Sequence, residues 1–351
     1  MNNPLVPALR DIEILFRPFR HRKLQLNGRI VLAAKPLSMA HKGVPSVQME
    51  QFYQQRASHD LALIITEPLA IDDAAAAATN DDAVFCGGRA LRVWKSICRT
   101  IHANGCKIAP LLYHAGMTRR VSHGANPSTP PIGPSGISPL TLQQCGESMT
   151  KQRIDEVKAS YGRAAAHAKL LGFDAVEIQG AQHSLIEQFL RPETNLRLDE
   201  YGGNISARAR FACEVIHAVR KAVGRNFPII LRLAQWPQKD GNPPLVSSAE
   251  EAAQLLTPLS KAGVDIFHCD SKHYTYPAFA GSPLTFASWV RLLTKKPTIC
   301  SGGISSTLHR STTDTAFMHL LHLLQANAFD LIAPQSAFDD TPALLRILRH
   351  P

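Results

Sequence analysis

Phe173-Asp174-Ala175-Val176-Glu177-Ile178-Gln179-Gly180-Ala181-Gln182-His183-Ser184 is the stretch whose reading decides the fold. Residues 174–178 are apolar at alternate positions and rich in β-formers, and they follow the helix stop Leu171-Gly172. That pattern predicts a buried strand. A polar turn comes next, then Leu185-Ile186-Glu187-Gln188-Phe189-Leu190, one amphipathic turn halted by Pro192. Asp199-Glu200-Tyr201-Gly202-Gly203-Asn204 leads into a helix over about 206–223.

The same alternation extends in both directions. Strands are expected over 24–34, 62–67, 107–113, 174–179, 228–233, 264–268, 298–301 and 329–333. Helices are expected between them, near 48–60, 88–104, 151–171, 206–223 and 248–262. Strand–helix alternation is the mark of a parallel sheet or barrel. Eight strands without a linker predict an α/β fold, one (β/α)8 barrel spanning 1–351 as a single domain. The Pro/Gly/Ser-rich loop 123–139 is too long to be idle in a compact domain.

Composition narrows the function classes. The chain is 45% hydrophobic and 19% charged, ordinary for a globular protein. No apolar run reaches the length of a membrane span, and the N-terminus has no basic-then-apolar leader. The formal net charge is +10, but Lys and Arg are spread along the chain with no aromatic-interleaved stripe, which argues against nucleic acid. Seven scattered cysteines without a CxxC pair predict free thiols in a reducing cytoplasm, with neither an iron–sulfur cluster nor a metal site.

Residues 173–211 resemble strand four and its following loop in the old yellow enzyme, or NADH:flavin oxidoreductase, family. That family's pattern is close to V-E-I-H-x-A-H/N-x-Y-L-x-x-Q-F-L-x-P followed by D-E-Y-G-G and R-x-R-F. The second half stands here as Asp199 to Gly203 with Arg208, Arg210 and Phe211. Further likenesses are Leu63-Ile64-Ile65-Thr66-Glu67, His114-Ala115-Gly116 and Pro134-Ser135-Gly136-Ile137, so the resemblance covers residues 12–348. The first half departs where the family does its chemistry. The two substrate-binding positions, His and His or Asn in the family, are Gln179 and Gln182, and the proton-donating Tyr position is Ser184.

The resemblance also implies positions for FMN, which needs polar partners at its pyrimidine edge, a donor near N5 and an anion site for its phosphate. Arg232 on strand five and Gly302-Gly303 after strand seven keep the family residues. Pro36 replaces the hydroxyl or thiol near the flavin's N5, Leu111 replaces the Gln that grips the pyrimidine edge, and Gln335-Ser336 replaces a Gly-Arg at the phosphate. Each lost partner removes about 1–3 kcal/mol. FMN binding is therefore expected to be weak or absent, with NAD(P)H used only if FMN is held.

Barrel active sites lie at the C-terminal ends of the strands. The expected pocket is lined by Lys35, His114, Gln179, Gln182 and Arg232, with the two Gln amides converging on one carbonyl oxygen. Glu177 shares the inward parity of Gln179 and is expected to pair with a basic neighbour such as Arg232; of His268, Asp270, Lys272 and His273, at least one should face the pocket. The first reading is a barrel enzyme that isomerises or cyclises a small conjugated carbonyl metabolite without net redox change. One alternative is an FMN-dependent NAD(P)H oxidoreductase of ene-reductase type, and another is a catalytically silent binding or scaffold barrel. The partner is a small molecule, with neither nucleic acid nor membrane; a homo-oligomer is left open.

Overall fold

The computed structural model describes residues 12–57, 61–120, 128–236, 243–304 and 315–334. Eight parallel strands pair in chain order: β1 (Val31–Leu32), β2 (Leu63–Ala70), β3 (Lys107–Tyr113), β4 (Val176–Gly180), β5 (Ile229–Ala234), β6 (Ile266–Asp270), β7 (Thr298–Ser301) and β8 (Leu331–Ala333). Ile30 bridges Ile332 in parallel, and the Ile332 N–H donates to the Arg29 carbonyl at 3.0 Å, which brings β8 round to β1. The expected (β/α)8 barrel is thus the observed one. Among the described residues no helix is long and apolar enough to cross a membrane.

β2 runs three residues past the expected end at Glu67. Pro68 lacks an N–H and would normally stop a central strand. Here it sits beside a bulge: Ile65 pairs with Ala109 and Pro68 with Leu111, so Thr66 and Glu67 together face Pro110. The Thr66 hydroxyl accepts the Leu111 N–H at 3.1 Å in place of a lost ladder bond.

Among the described residues, eight helices of six residues or more accompany the strands: α1 (Val47–Arg56), α2 (Gly88–Ala103), α3 (Lys151–Leu171), α4 (Leu185–Leu190), α5 (Arg210–Val223), α6 (Ala249–Ala262), α7 (Phe286–Thr294) and α8 (Thr315–Gln325). Ser46, Thr150, Ser248 and Thr285 cap α1, α3, α6 and α7 by accepting a backbone N–H three residues on, each worth about 1 kcal/mol. Left-handed Gly172 ends α3 and turns the chain into β4. The helix expected over 206–223 is divided at Ala209 into a short turn, Ile205–Arg208, and α5. Phe211, Val215, Ile216, Val219 and Val223 give α5 a buried stripe at helical spacing, and α5 packs on α3.

The barrel interior changes character along its axis. Its lower layers are apolar, from Ala175, Ile230, Ile266 and Ile299. A hairpin of Phe19–His21 and Leu24–Leu26 closes the floor with Phe19, Leu24 and Leu26, and Arg22 at its turn pairs with Asp265 before β6. Two residues further up, the inward positions become Glu177, Arg232, His268 and Ser301, and two further again Gln179 and Asp270. The sheet thereby delivers a polar cluster to the C-terminal rim.

Candidate active site

The polar cluster is a hydrogen-bonded chain across four strands. His268 Nδ1 lies 3.1 Å from Glu177 Oε1, and its Nε2 lies 3.2 Å from Ser301 Oγ. Ser301 donates to Asp270 Oδ1 at 3.0 Å, and Arg232 Nη2 donates to Asp270 Oδ2 at 2.7 Å. Glu177 therefore pairs with His268, and Arg232 takes Asp270 instead. Glu177 and His268 face each other across the barrel interior, a proximity that sequence separation hides. Burial raises the Asp270 pKa, but Arg232 and His268 outweigh it and hold the carboxyl below its ordinary value. Carboxylate, imidazole and hydroxyl stand in the order of a nucleophilic triad, yet Glu177, His268 and Ser301 are wholly buried and line neither cavity described below. They act as a brace.

Arg232 keeps Nε and Nη1 buried without hydrogen-bond partners. Leaving such groups unmade costs about 1–3 kcal/mol each, so they mark a place where an acceptor belongs.

On β4, Gln179 Nε2 donates to Gln182 Oε1 at 3.3 Å. The two amides bond to each other, so the expected convergence of both on one oxygen is not the arrangement of this structure. Gln179 Oε1 is buried with no partner. The turn that sets Gln182 beside Gln179 puts Gln182 and His183 at φ +56° and +60°, left-handed conformations costly for residues with a side chain. Glu187 Oε2 accepts the His183 N–H at 2.6 Å and Gln188 Nε2 donates to the His183 carbonyl at 2.6 Å, holding the turn. The Ser184 hydroxyl donates to the Gln179 carbonyl at 2.9 Å.

Two cavities open at this rim. One, about 190 Å³, is lined by Pro36, Glu67, Tyr113, Gln179, Gln182 and Ser184 among others. The other, about 250 Å³, includes Gln182, Trp236, Asp270, Lys272, Gly302 and Gly303. A larger groove of about 880 Å³ lies on the opposite face, around Phe19, His21 and Asp330, away from the strand ends that carry the polar cluster.

Glu67 was not foreseen as a pocket residue. The bulge in β2 turns it into the smaller cavity, where Oε2 accepts the Leu37 N–H at 2.9 Å and Oε1 has no partner. Burial pushes its pKa up to about 7, against the backbone N–H bonds that lower it. Neighbouring Asp82 accepts the Tyr113 hydroxyl at 2.5 Å; burial, then Asp82, pushes the Tyr113 pKa well above its ordinary value.

FMN can be tested against these groups. The unpartnered N–H groups of Arg232 suit the acceptors of a flavin ring edge. Gly302 and Gly303 have φ +102° and +69°, and a Cβ on Gly303 would overlap the His273 ring. Consecutive glycines of this kind form a backbone cradle for a phosphate, and Lys272 lines the same cavity. Leu111 is buried in the apolar interior and offers the ring no hydrogen bond; Pro36 gives only an apolar wall. The residues fit FMN with fewer polar contacts than the family pattern supplies. Gln335 and Ser336 lie outside the described residues.

Other expected site residues are placed elsewhere. Lys35 is exposed and lines neither rim cavity. His114 is wholly buried beneath the loop: its Nδ1 accepts the Gly116 N–H at 2.9 Å and its Nε2 meets Asp73 Oδ1 at 3.2 Å. Burial lowers its pKa despite Asp73, so it stands as a neutral brace and not as a pocket residue. Asp270 and Lys272 do reach the rim and His268 does not; Arg232, expected in the lining, borders neither cavity itself and stands behind Asp270, to which it is bonded.

Three comparisons place this geometry among known proteins. The model of the NADH:flavin oxidoreductase / NADH oxidase family matches residues 14–316. A metal reductase of Desulforamulus reducens is 36% identical over 257 residues, covering 72% of this chain and 37% of that protein. An NADH oxidase of Thermoanaerobacter brockii is 30% identical over 266 residues, with 74% and 39% covered. The chain thus spans under two-fifths of the length of these two relatives. A chanoclavine-I aldehyde reductase of Penicillium roqueforti is 29% identical over 300 residues, with 84% and 78% covered. A solved structure of morphinone reductase with tetrahydroNAD superposes with TM-score 0.78 and 26% identity over 95% of this chain and 91% of that one.

Proposed function

The chain belongs to the NADH:flavin oxidoreductase / NADH oxidase family, and from that premise we propose that it is an FMN-dependent NAD(P)H oxidoreductase of the ene-reductase type, acting on a small conjugated carbonyl compound. The observation that carries this reading is Arg232, whose Nε and Nη1 are buried and unpartnered just beneath the rim, beside Asp270 of the larger rim cavity. The names of the relatives, reductases and an oxidase, support the redox reading over isomerisation or cyclisation. A silent scaffold would retain several unmade buried hydrogen bonds for no ligand, at about 1–3 kcal/mol each.

When bound, FMN supplies hydride transfer between a nicotinamide and an electron-poor double bond. Arg232 would hold the ring edge, and Gly302, Gly303 and Lys272 the phosphate. The Gln179 and Gln182 N–H groups would bind the substrate oxygen and stabilise charge that develops on it. Ser184 has its proton committed to the Gln179 carbonyl. Glu67 is the group on the cavity wall able to hold a proton near neutrality, at Oε1.

The test is anaerobic mixing of the FMN-saturated protein with NADH or NADPH. Bleaching of the flavin's visible bands, and their return on adding a conjugated ketone, is expected. Failure of either nicotinamide to bleach a demonstrably bound flavin overturns the redox reading.

A further inference from the structure

The wall of the smaller rim cavity carries an acceptor as well as donors. Two side-chain amides bring two carbonyl oxygens and four N–H groups. Their mutual bond uses one of each and leaves Gln179 Oε1 without a partner, on a residue only 2% exposed. A bare ketone or aldehyde oxygen satisfies the N–H groups only. It would leave the spare oxygen desolvated and unmade, the expensive outcome for a buried polar atom. A ligand presenting N–H next to C=O satisfies both.

The rest of the cavity agrees with a small, flat, neutral guest of that kind. Its volume of about 190 Å³ equals roughly six waters' share. Pro36, Pro68 and Ala78 give apolar walls. Glu67 Oε1 is a second buried oxygen without a partner, and the Asp82 carboxylate stands on the same wall, which disfavours an anionic guest. On the reading of this cavity as the substrate site, we propose that Gln179 and Gln182 select conjugated lactams and carboxamides carrying a free N–H over simple enones and enals. Gln179 is thereby a specificity-determining residue. In the family pattern quoted above the first of these places is His, and a neutral imidazole that donates its N–H to a ligand offers no acceptor on the same edge.

The test is equilibrium binding, without reductant, of three compounds with the same six-membered ring: the unsaturated lactam dihydropyridinone, its N-methyl derivative, and cyclohexenone, the last matching the lactam in size. FMN-saturated protein is titrated and ligand-observed NMR gives each dissociation constant; the series is repeated without added FMN. The free lactam is expected to bind at least about ten-fold tighter than either competitor. In Gln179→Met, which removes the acceptor and keeps the volume, the preference should fall below about two-fold. Gln179→Glu, which keeps an acceptor oxygen, should retain it and guards against a folding artefact. Equal affinity for the lactam and its N-methyl form, a preference that survives Gln179→Met, or no binding of any of the three overturns the proposal. Because no hydride is transferred, a protein that shows the preference yet never oxidises NAD(P)H would sink the oxidoreductase reading alone.

Discussion

Arg232 and Asp270 form a nearly closed ion pair just beneath the barrel rim, with Nη2 donating at 2.7 Å while Nε and Nη1 are buried without partners. The pair fixes the guanidinium, and the spare N–H groups are what it holds in place. A charge-assisted hydrogen bond is worth about 1.5–3 kcal/mol. Arg232→Met together with Asp270→Asn, which leaves no lone buried carboxylate, should weaken FMN binding at least about ten-fold. Quenching of flavin fluorescence measures it, with circular dichroism as the check on folding.

Leu111 stands on β3 directly opposite Glu177, packed in the apolar interior, and gives a flavin ring no partner. Leu111→Gln should raise FMN affinity by about five- to ten-fold, the value of one neutral hydrogen bond of ~1 kcal/mol. The same titration decides it; unchanged affinity would mean the ring does not lie against β3.

Glu67 is expected to leave a mark on the pH dependence of stability. Its ordinary value is 4.5 and burial pushes it up to about 7, so the folded chain binds this proton more tightly than the unfolded one. Stability must then fall as pH rises from about 4.5 to about 7, by an amount on the order of 3 kcal/mol for this group. Glu67→Gln should flatten that part of the curve, read from urea unfolding at several pH values. A slope identical in variant and parent would show that Glu67 is ionised in the folded protein.

Glu177 and His268 are both wholly buried and bonded to each other. Removing one partner strands the other, so Glu177→Ala should destabilise the fold by about 3–5 kcal/mol. The double change Glu177→Leu with His268→Leu should recover most of the loss. Chemical denaturation of the three proteins tests the pair; a mild single variant would mean that Ser301 and neighbouring backbone suffice.

The barrel was legible because its signals are local. Alternation along 174–178 and the stop at Gly172 mark β4 without knowledge of any distant residue, and the same holds for most strands and helices. β2 was read as ending at Glu67 because the reason Pro68 is tolerated lies on β3, in the register opposite Pro110. The site was legible only in part. Gln179 and Gln182 stand together at the rim, but their bond to each other depends on a left-handed turn that side-chain types do not announce. His114 reads as a pocket residue until Asp73, forty-one positions earlier, is found against it. Lys35 stands at a strand end yet remains in solvent. Glu67 was overlooked because a bulge, not a motif, turns it inward.

The hairpin beneath the barrel also sets an order of events. Its turn residue Arg22 is held by Asp265, 243 positions further on, so this hairpin cannot make that tie until the sixth barrel strand begins to leave the ribosome. Loop closure over such a span is slow compared with local helix formation. During synthesis the apolar faces of Phe19, Leu24 and Leu26 wait uncovered. The hairpin is seated long after it is made, and a nascent chain stalled before Asp265 would present it to any chaperone within reach.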